Sequence, residues 1–229
     1  MGMNGIYLIS IIIMAVSWLV SSTLKRRFKE YSQIPLNLTG KEIAERMLHE
    51  NGITDVQVIS VPGQLTDHYN PADKTVNLSD WVYAQANVAA AAVAAHECGH
   101  AVQHARAYTW LGLRSKLVPA VNFSAKFVQW IILAGLMLAY KGNTTLLLVG
   151  VVLFSLTTIF AFVTLPVEFD ASARALKWLD TSGIMQSQQH EKAKNALKWA
   201  ASTYVVAALG SLVTLLYYIS ILTGSRSRD

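Results

Sequence analysis

The sequence predicts a mainly α-helical integral membrane protein with about four transmembrane helices and a small cytoplasmic α+β domain. Three observations lead to this class. The 229-residue chain is 53% hydrophobic and only 14% charged, whereas a soluble domain usually has about 25% charged residues. Its apolar residues are grouped into four long, nearly uncharged runs. The segments between these runs carry helix caps, alternating strand patterns and turn residues instead.

The first apolar run, residues 6–24, has no charged side chain and is long enough to span a bilayer. A cleaved signal peptide would begin with positive charge and end in a small-residue cleavage pattern. Neither feature is present around this run. We therefore interpret residues 6–24 as transmembrane helix 1.

Two further runs predict a transmembrane hairpin over residues 121–165, which holds helices 2 and 3. The short polar connection Lys141-Gly142-Asn143 separates its two arms. A fourth run over residues 201–222 predicts transmembrane helix 4. The remaining segments, 25–120 and 166–200, are expected to lie outside the bilayer.

The distribution of basic residues predicts the orientation of the chain. Residues 25–126 hold 11 of the 19 Lys and Arg residues and residues 166–200 hold five, so 16 of 19 fall on one side. Basic loops face the cytoplasm. The other three basic residues are Lys141 in the hairpin connection and Arg226 and Arg228 at the C-terminus, and these last two run against the pattern. Membrane flanks facing anionic lipid explain the net charge of +5 without a nucleic-acid partner. The single cysteine, Cys98, excludes an intrachain disulfide and fits a reducing compartment.

The segment 25–120 predicts a helix followed by a small antiparallel sheet. Thr39 and Glu42 form a capping box at the start of the helix. Alternating residues at 56–61 and two short extended pieces at 64–69 and 75–78 predict the strands. The piece 64–69 is a candidate edge strand for binding an extended polypeptide. Ser79 is expected to cap an alanine-rich helix that runs to about Tyr108.

That alanine-rich helix carries the most informative motif, His96-Glu97-Cys98-Gly99-His100. It matches H-E-x-x-H, in which two histidines at positions i and i+4 share one helix face and can bind one Zn²⁺. Glu97 lies beside this face without having to bind the metal, so it can take a proton from a metal-activated water. Cys98 points to the opposite side of the helix and is interpreted as a packing residue.

A catalytic zinc needs a third protein ligand. His104 lies too far along the helix to join both motif histidines, and the position at which a metzincin has its third histidine is Arg106. Glu168, which follows the third apolar run, is the strongest candidate, and His68 on the candidate edge strand is the alternative. Pro166 predicts that a new helix begins just before Glu168.

The motif, a membrane hairpin and then Glu168-Phe169-Asp170-Ala171-Ser172 resemble the YugP-like neutral zinc metallopeptidases of bacterial membranes, over nearly the whole chain. The order of motifs is also similar to the gluzincin layout of HtpX-type and CAAX-prenyl proteases. In these families an E-x-x-x-D helix supplies the third ligand, which implies this role for Glu168 and a zincin-like fold for the cytoplasmic domain. The family's Asp, which orients a ligand histidine, is replaced by Ser172 here.

The sequence thus predicts a multi-pass zinc metalloendopeptidase of the bacterial cytoplasmic membrane, with its active site facing the cytoplasm. His96, His100 and Glu168 would bind Zn²⁺, and Glu97 would be the general base. Tyr69, His68 and Arg174 are candidate contacts to the oxyanion or the substrate, which would be a membrane or membrane-adjacent polypeptide. The alternatives are a zinc-binding scaffold or inactive relative that recruits membrane proteins and, less favoured, a metal transporter.

Overall fold

The structure, a computed structural model, describes residues 3–226 of the chain and the side chains of residues 8–224. Within these residues there are seven helices and three strands. Arg228, one of the two C-terminal arginines that run against the predicted charge pattern, lies outside the described residues, as does the side chain of Arg226. The elements are α1 (Met3–Tyr31), α2 (Gly40–Glu50), β1 (Gln57–Val61), β2 (His68–Asn70), β3 (Thr75–Ser79), α3 (Asp80–Ala84), α4 (Val88–Ala105), α5 (Thr109–Ala139), α6 (Thr145–Thr181) and α7 (Ser187–Arg226).

Four of the described helices are long and apolar enough to cross a membrane. Each overlaps one of the four predicted runs and extends beyond it, and the stretches concerned are Leu8–Tyr31, Thr109–Ala139, Thr145–Thr181 and Ser187–Gly224. The structure therefore confirms a mostly helical chain with four candidate membrane-spanning helices and one small sheet.

The chain divides into two compact units. One contains the described residues up to Leu19, residues 113–165 and the described residues from Thr203 onward. The other contains residues 20–112 and 166–202. The H-E-x-x-H motif and Glu168 both belong to the second unit, which we call the motif unit.

In the first unit, glycines allow α5 and α6 to pack closely. A Cβ at Gly135 would lie 2.7 Å from the backbone of Leu147, and a Cβ at Gly150 would lie 2.7 Å from the side chain of Ile132. Small residues permit such close approach between apolar helices. Ile132 and Leu147, with their neighbours, form a small apolar cluster beside this contact.

The core of the motif unit surrounds α4. Its alanines up to Ala101 are buried, and the apolar side chains of α2, β3 and α3 belong to the same cluster. Because alanine occupies little volume, neighbouring elements can approach the α4 backbone. Alanine is also the best helix former, so α4 keeps its helical geometry with few polar side chains.

The alanine-rich helix predicted from Ser79 to about Tyr108 is in fact two helices, α3 and α4. Ser79 caps α3 as predicted, but Asn87 then caps α4 by accepting a hydrogen bond from the backbone of Ala90. Between them the chain is extended, because Leu36 N–H donates to the Ala86 carbonyl and Val88 N–H donates to the Ile34 carbonyl. A tertiary pairing thus interrupts a locally helical sequence.

The sheet is mixed, so the prediction of an antiparallel sheet was wrong. Its order is β1-β3-β2, with β1 parallel to β3 and β2 antiparallel to β3. Tyr69 on β2 pairs with Val76 on β3. The tight turn after β2 makes its pairing with β3 antiparallel. The chain passes through β2 before it forms β3, and β3 then lies beside β1 and runs in the same direction. β2 is therefore an edge strand, and it shares residues 68 and 69 with the piece 64–69 that was predicted as a candidate edge.

The prediction that Pro166 begins a new helix was also wrong. α6 is continuous from Thr145 to Thr181, with Pro166 inside it. A proline inside a helix removes one backbone hydrogen bond and costs about 3 kcal/mol or more. Glu168 therefore lies within a long helix rather than in the first turn of a new one.

Candidate metal centre

Three predicted ligands converge in the motif unit. His96, His100 and Glu168 each offer one ligand atom, and these atoms all lie within 4.8 Å of one another. The carboxylate Oε2 of Glu168 is 3.3 Å from His96 Nε2 and 3.7 Å from His100 Nε2. The Glu168 side chain is only 3% exposed. The group is therefore compact and shielded from bulk water.

Helix α4 supplies two of these groups through its regular geometry. His96 and His100 are one turn apart, which brings their ring centroids to 4.8 Å. Glu168 comes from α6, 68 positions farther along the chain than His100. The group therefore exists only because α4 and α6 pack against each other.

Gly99 permits this packing. A Cβ at this position would lie 2.5 Å from the carbonyl oxygen of Ala171 and 3.0 Å from its carbonyl carbon. These are backbone atoms, which cannot move aside as the end of a flexible side chain can. Gly99 immediately precedes His100, and Ala171 is three residues after Glu168. The missing side chain therefore lets the two ligand-bearing helices come close at the level of the ligands.

The hydrogen bonds of Gln103 fix the protonation of His100. The Gln103 amide nitrogen donates to the Val167 carbonyl at 2.7 Å and to the Asp170 carboxylate at 2.8 Å, and both partners can only accept. Its Oε1 therefore faces His100 Nδ1, 3.0 Å away. Nδ1 must carry the proton, which leaves the lone pair of Nε2 on the side of Glu168.

Ser172 contacts the corresponding ring nitrogen of His96. Its hydroxyl oxygen lies 3.1 Å from His96 Nδ1, while Nε2 of the same ring is the nitrogen close to Glu168. The Asp of the family pattern is absent, and the shorter serine reaches the imidazole directly. Such partners fix the orientation of a ligand histidine and raise its affinity for metal.

Sequence reasoning missed the roles of Gln103 and Asp170. Asp170 accepts hydrogen bonds from Gln103 and from Arg174 Nε. It is thereby connected to His100 through the Gln103 amide. A signal was present in the sequence, since Gln103 is a lone amide one turn after His100 in an otherwise alanine-rich helix. Gln103 is completely buried.

The electrostatics of the group suit a cation. Burial alone would lower the pKa of His100, because imidazolium is poorly solvated there. The hydrogen bond to Glu168 and the negative charges of Glu97 and Glu168 outweigh burial, and they raise the pKa of His100 above its ordinary value. The carboxylate and the two nitrogens thus attract positive charge.

These residues fit zinc. Two imidazole nitrogens and one carboxylate form a donor set found in catalytic zinc sites, which leave a further coordination position open. Two ligand atoms on a tetrahedral zinc with bonds of ~2.0–2.1 Å lie about 3.3 Å apart. The separations of 3.3 and 3.7 Å from Glu168 to the histidines are close to this value.

Glu97 is near this group without belonging to it. Its side chain is buried, and its carboxylate oxygen accepts a hydrogen bond from the backbone N–H of Tyr69 at 3.1 Å. Tyr69 is the central residue of the edge strand β2. The strand therefore holds the carboxylate beside the ligand-bearing face of α4.

The other candidate residues have different partners. His68 is exposed and its Nδ1 contacts the Thr66 carbonyl, whereas the hydroxyl of Tyr69 lies 2.8 Å from His104 Nδ1. The guanidinium of Arg174 donates to Asp170 and lies over the Tyr108 ring. Neither His68 nor His104 is grouped with the three ligands among the described residues.

Cys98 packs on the opposite side of α4, where its thiol donates to the Ala44 carbonyl. Complete burial, with a smaller effect of the Glu97 charge, raises the pKa of Cys98 well above its ordinary value. The thiol is therefore neutral and is not a thiolate ligand.

Residues 6–223 match the model of a protein family described as "Putative neutral zinc metallopeptidase". The chain belongs to this family. It is also 38% identical over 223 residues to a protein of Bacillus subtilis (strain 168) named "Putative membrane protease YugP". The alignment covers 96% of this chain and 98% of the Bacillus protein. The predicted resemblance is thereby confirmed, and no solved structure matches the chain.

Replacing Gly99 by alanine should disrupt the metal centre. The added Cβ would clash with the Ala171 carbonyl, and overpacking of this kind costs roughly 1–3 kcal/mol. Displacement of α4 from α6 should lower zinc affinity by about tenfold or more, as when other supports of a metal ligand are lost. Chelator competition and metal analysis of the purified protein measure this.

Gly112→Ala is the matched control, because a Cβ at this helical glycine meets nothing within 4 Å. It should retain zinc and leave stability unchanged or slightly higher, since alanine is favoured over glycine in helices. Equal zinc affinities for Gly99→Ala and Gly112→Ala would contradict the role assigned to Gly99.

Replacing Gln103 by leucine should weaken zinc binding without removing a ligand. The change deletes the acceptor for His100 Nδ1–H, and loss of such a partner typically lowers metal affinity about 10–100-fold. Zinc affinity and dissociation rate can be compared with those of Gln188→Leu, which alters an exposed glutamine. Unchanged zinc affinity in Gln103→Leu would show that Gln103 does not orient His100.

Proposed function

We propose that this protein is a membrane-embedded zinc metalloendopeptidase of the gluzincin type. His96, His100 and Glu168 would hold the Zn²⁺, and Glu97 would be the general base. The main support is the convergence of three suitable ligands next to a buried carboxylate that is not one of them. A purely structural zinc site has no need of such a carboxylate. Membership of a zinc metallopeptidase family gives independent support.

When bound, zinc supplies a Lewis acid that polarises the scissile carbonyl and lowers the pKa of a coordinated water to about 7. Glu97 accepts a proton from the attacking water and later gives it to the nitrogen of the leaving amine. Its hydrogen bond from the Tyr69 backbone keeps the carboxylate in place for both transfers. Gln103 keeps His100 in the required tautomer, and Ser172 contacts Nδ1 of His96 and so orients its ring.

The oxyanion that develops during attack needs a hydrogen-bond donor in addition to the metal. Of the three candidates, the Tyr69 hydroxyl contacts His104 and the His68 ring contacts a backbone carbonyl. Arg174 has five N–H donors, and Asp170 accepts a hydrogen bond from its Nε. We favour Arg174, because its remaining N–H groups are suited to an oxyanion or to a substrate carbonyl.

We further propose that the substrate is a membrane or membrane-adjacent polypeptide and that the active site faces the cytoplasm. Four apolar helices and a relative named as a membrane protease support the membrane setting. The concentration of basic residues in segments 25–126 and 166–200 supports the cytoplasmic orientation. The edge strand β2, which contacts the proposed general base, is a candidate site for pairing with an extended substrate.

Glu97→Gln should retain zinc and lose hydrolysis. Glutamine has almost the same size and can keep the metal site intact, but it cannot accept the proton. Loss of the general base should lower the cleavage rate by about 10²–10⁴-fold. The test combines metal analysis with cleavage of an unfolded, fluorescence-quenched reporter polypeptide. Loss of zinc together with activity would instead make Glu97 a structural residue, and full activity would remove it from the mechanism.

The orientation can be tested by cysteine labelling in intact cells. Ala72→Cys and Gln188→Cys place thiols at exposed positions in the two predicted cytoplasmic segments. The native Cys98 is buried, so it should give little background. A membrane-impermeant maleimide should label both new thiols only after the cells are opened. Labelling of both in intact cells would reverse the orientation, and labelling of just one would contradict the four-span topology.

A further inference from the structure

The motif unit contains a second feature, a cavity of about 610 Å³ that the proposed chemistry does not use. It is bounded by the C-terminal part of α1, the loop between β1 and β2, and residues of α3 and α4. This volume is in the range of cavities that bind small ligands or several side chains of a peptide. All of its lining residues belong to the motif unit.

Two segments of the chain lead from the cavity wall to the metal centre within a few residues. Val93, in its wall, is three residues before His96 on α4, which corresponds to a rise of about 4.5 Å. Asp67, also in its wall, is two residues before Tyr69, whose backbone contacts Glu97. A polypeptide with its scissile bond at the metal centre could therefore reach the cavity within a few residues.

Much of the wall is apolar. Leu24, Phe28 and Val93 line it from two helices, and Leu65 and Trp81 contribute large side chains from the loop and from α3. Leu65 is 71% exposed, and its φ of +59° lies in the left-handed region that only a few per cent of non-glycine residues adopt. Holding a leucine in this conformation costs free energy, and strain of this kind is found at ligand-binding positions.

The wall also carries two positive charges. Lys25 and Lys29 are one turn apart on the same face of α1, and neither forms an ion pair with another described residue. Asp67 adds one negative charge to the wall, but it forms no ion pair with either lysine among the described residues, and its carboxylate accepts hydrogen bonds from the Ser79 backbone and hydroxyl at 2.7 and 3.0 Å. The cavity thus combines an apolar surface with two lysines that have no ion-pair partner and one carboxylate, so its wall keeps a net positive charge.

We propose that this cavity is the substrate-specificity pocket of the protease and that it selects a polypeptide segment with an acidic side chain next to a large apolar one. Lys25 and Lys29 would attract the carboxylate, and Leu65 and Trp81 would contact the apolar side chain. This inference rests on the proposed function, because it takes the substrate to be a polypeptide cleaved at the metal centre.

The test uses the full-length zinc-loaded protein and fluorescence-quenched peptides. The peptides share a Leu and differ only in the neighbouring residue, which is Glu, Gln or Lys, and this pair is moved along either side of the scissile bond. When the pair lies on one particular side of the scissile bond, the wild type should cleave the Glu peptide with a kcat/KM about fivefold or more above that of the Lys peptide. This is the size expected for partly exposed charge pairs.

Lys25→Glu combined with Lys29→Glu should reverse this preference and leave zinc content unchanged. The control combines Arg26→Glu with Lys177→Glu, which changes the same total charge at exposed positions outside the cavity wall, and it should keep the wild-type preference. Leu65→Gly tests the apolar contact. Glycine adopts a positive φ freely, so this variant should stay folded. It should no longer prefer the Glu peptide with Leu over a matched Glu peptide in which that Leu is replaced by Ala.

An unchanged preference in the double lysine variant, or an equal change in the control, would overturn the proposal. If the wild type cleaves no peptide, the proposed function fails, and fluorescence anisotropy with the same peptides then tests the pocket separately. Binding that favours Glu and depends on both lysines would support the pocket, whereas binding without this preference would overturn it. A different outcome is that the purified wild type carries one phosphatidylglycerol per chain, that the lysine variant loses it, and that neither protein shows a peptide preference. This would make the cavity a lipid site and would also overturn the proposal.

Discussion

The metal centre depends on one close approach between two helices, where the backbone at Gly99 lies against the Ala171 carbonyl. A single added methyl group would bring its carbon to 2.5 Å from that oxygen. The ligands on either helix cannot form the site alone, because α4 provides two imidazoles and α6 provides the carboxylate. The small residues of α4 therefore have a purpose beyond helix formation. They remove the volume that would otherwise hold α6 too far away for Glu168 to reach both histidines.

Such an approach brings polar groups into a region with little water, and these groups need partners. Gln103 satisfies three of them at once, since it connects the His100 ring, the Val167 carbonyl and the Asp170 carboxylate. The same connections orient the imidazole and determine which nitrogen is available to a metal. Asp170 also holds Arg174, so the ligand network extends to the residue that we favour as a substrate contact. Packing and chemistry therefore share the same contacts between α4 and α6.

The local features of this chain could be predicted from its sequence because their signals lie within a few residues. The capping box at Thr39 and Glu42 forms as expected, and the motif histidines lie on one helix face because their spacing is one helical turn. The four long helices were predicted correctly because each contains an uninterrupted apolar run, which is a local signal as well. Glu168 could be named because the zinc motif needs a third ligand and the family resemblance implied one. The structure brings that residue to the histidines, although its role as a ligand stays a prediction.

Features that depend on distant contacts were predicted less well. The break between α3 and α4 is stabilised by pairing with residues 34–36, about 50 positions away, and no local signal outweighs the alanine-rich sequence. The parallel pairing of β1 with β3 depends on the path of the chain through β2. Pro166 stays inside α6 although its own preference favours a helix start. The Asp170 contact was missed because Gln103, which bridges it to His100, comes from another helix.

The most direct test of the central claim is zinc K-edge X-ray absorption spectroscopy on the purified full-length protein. It counts the imidazole ligands of the metal. Our account predicts two imidazoles, with oxygen atoms completing the coordination, and a loss of bound zinc or of one oxygen ligand in Glu168→Ala. A spectrum with three imidazoles would bring in another histidine, such as His68 or His104, and would contradict a site built from α4 and α6.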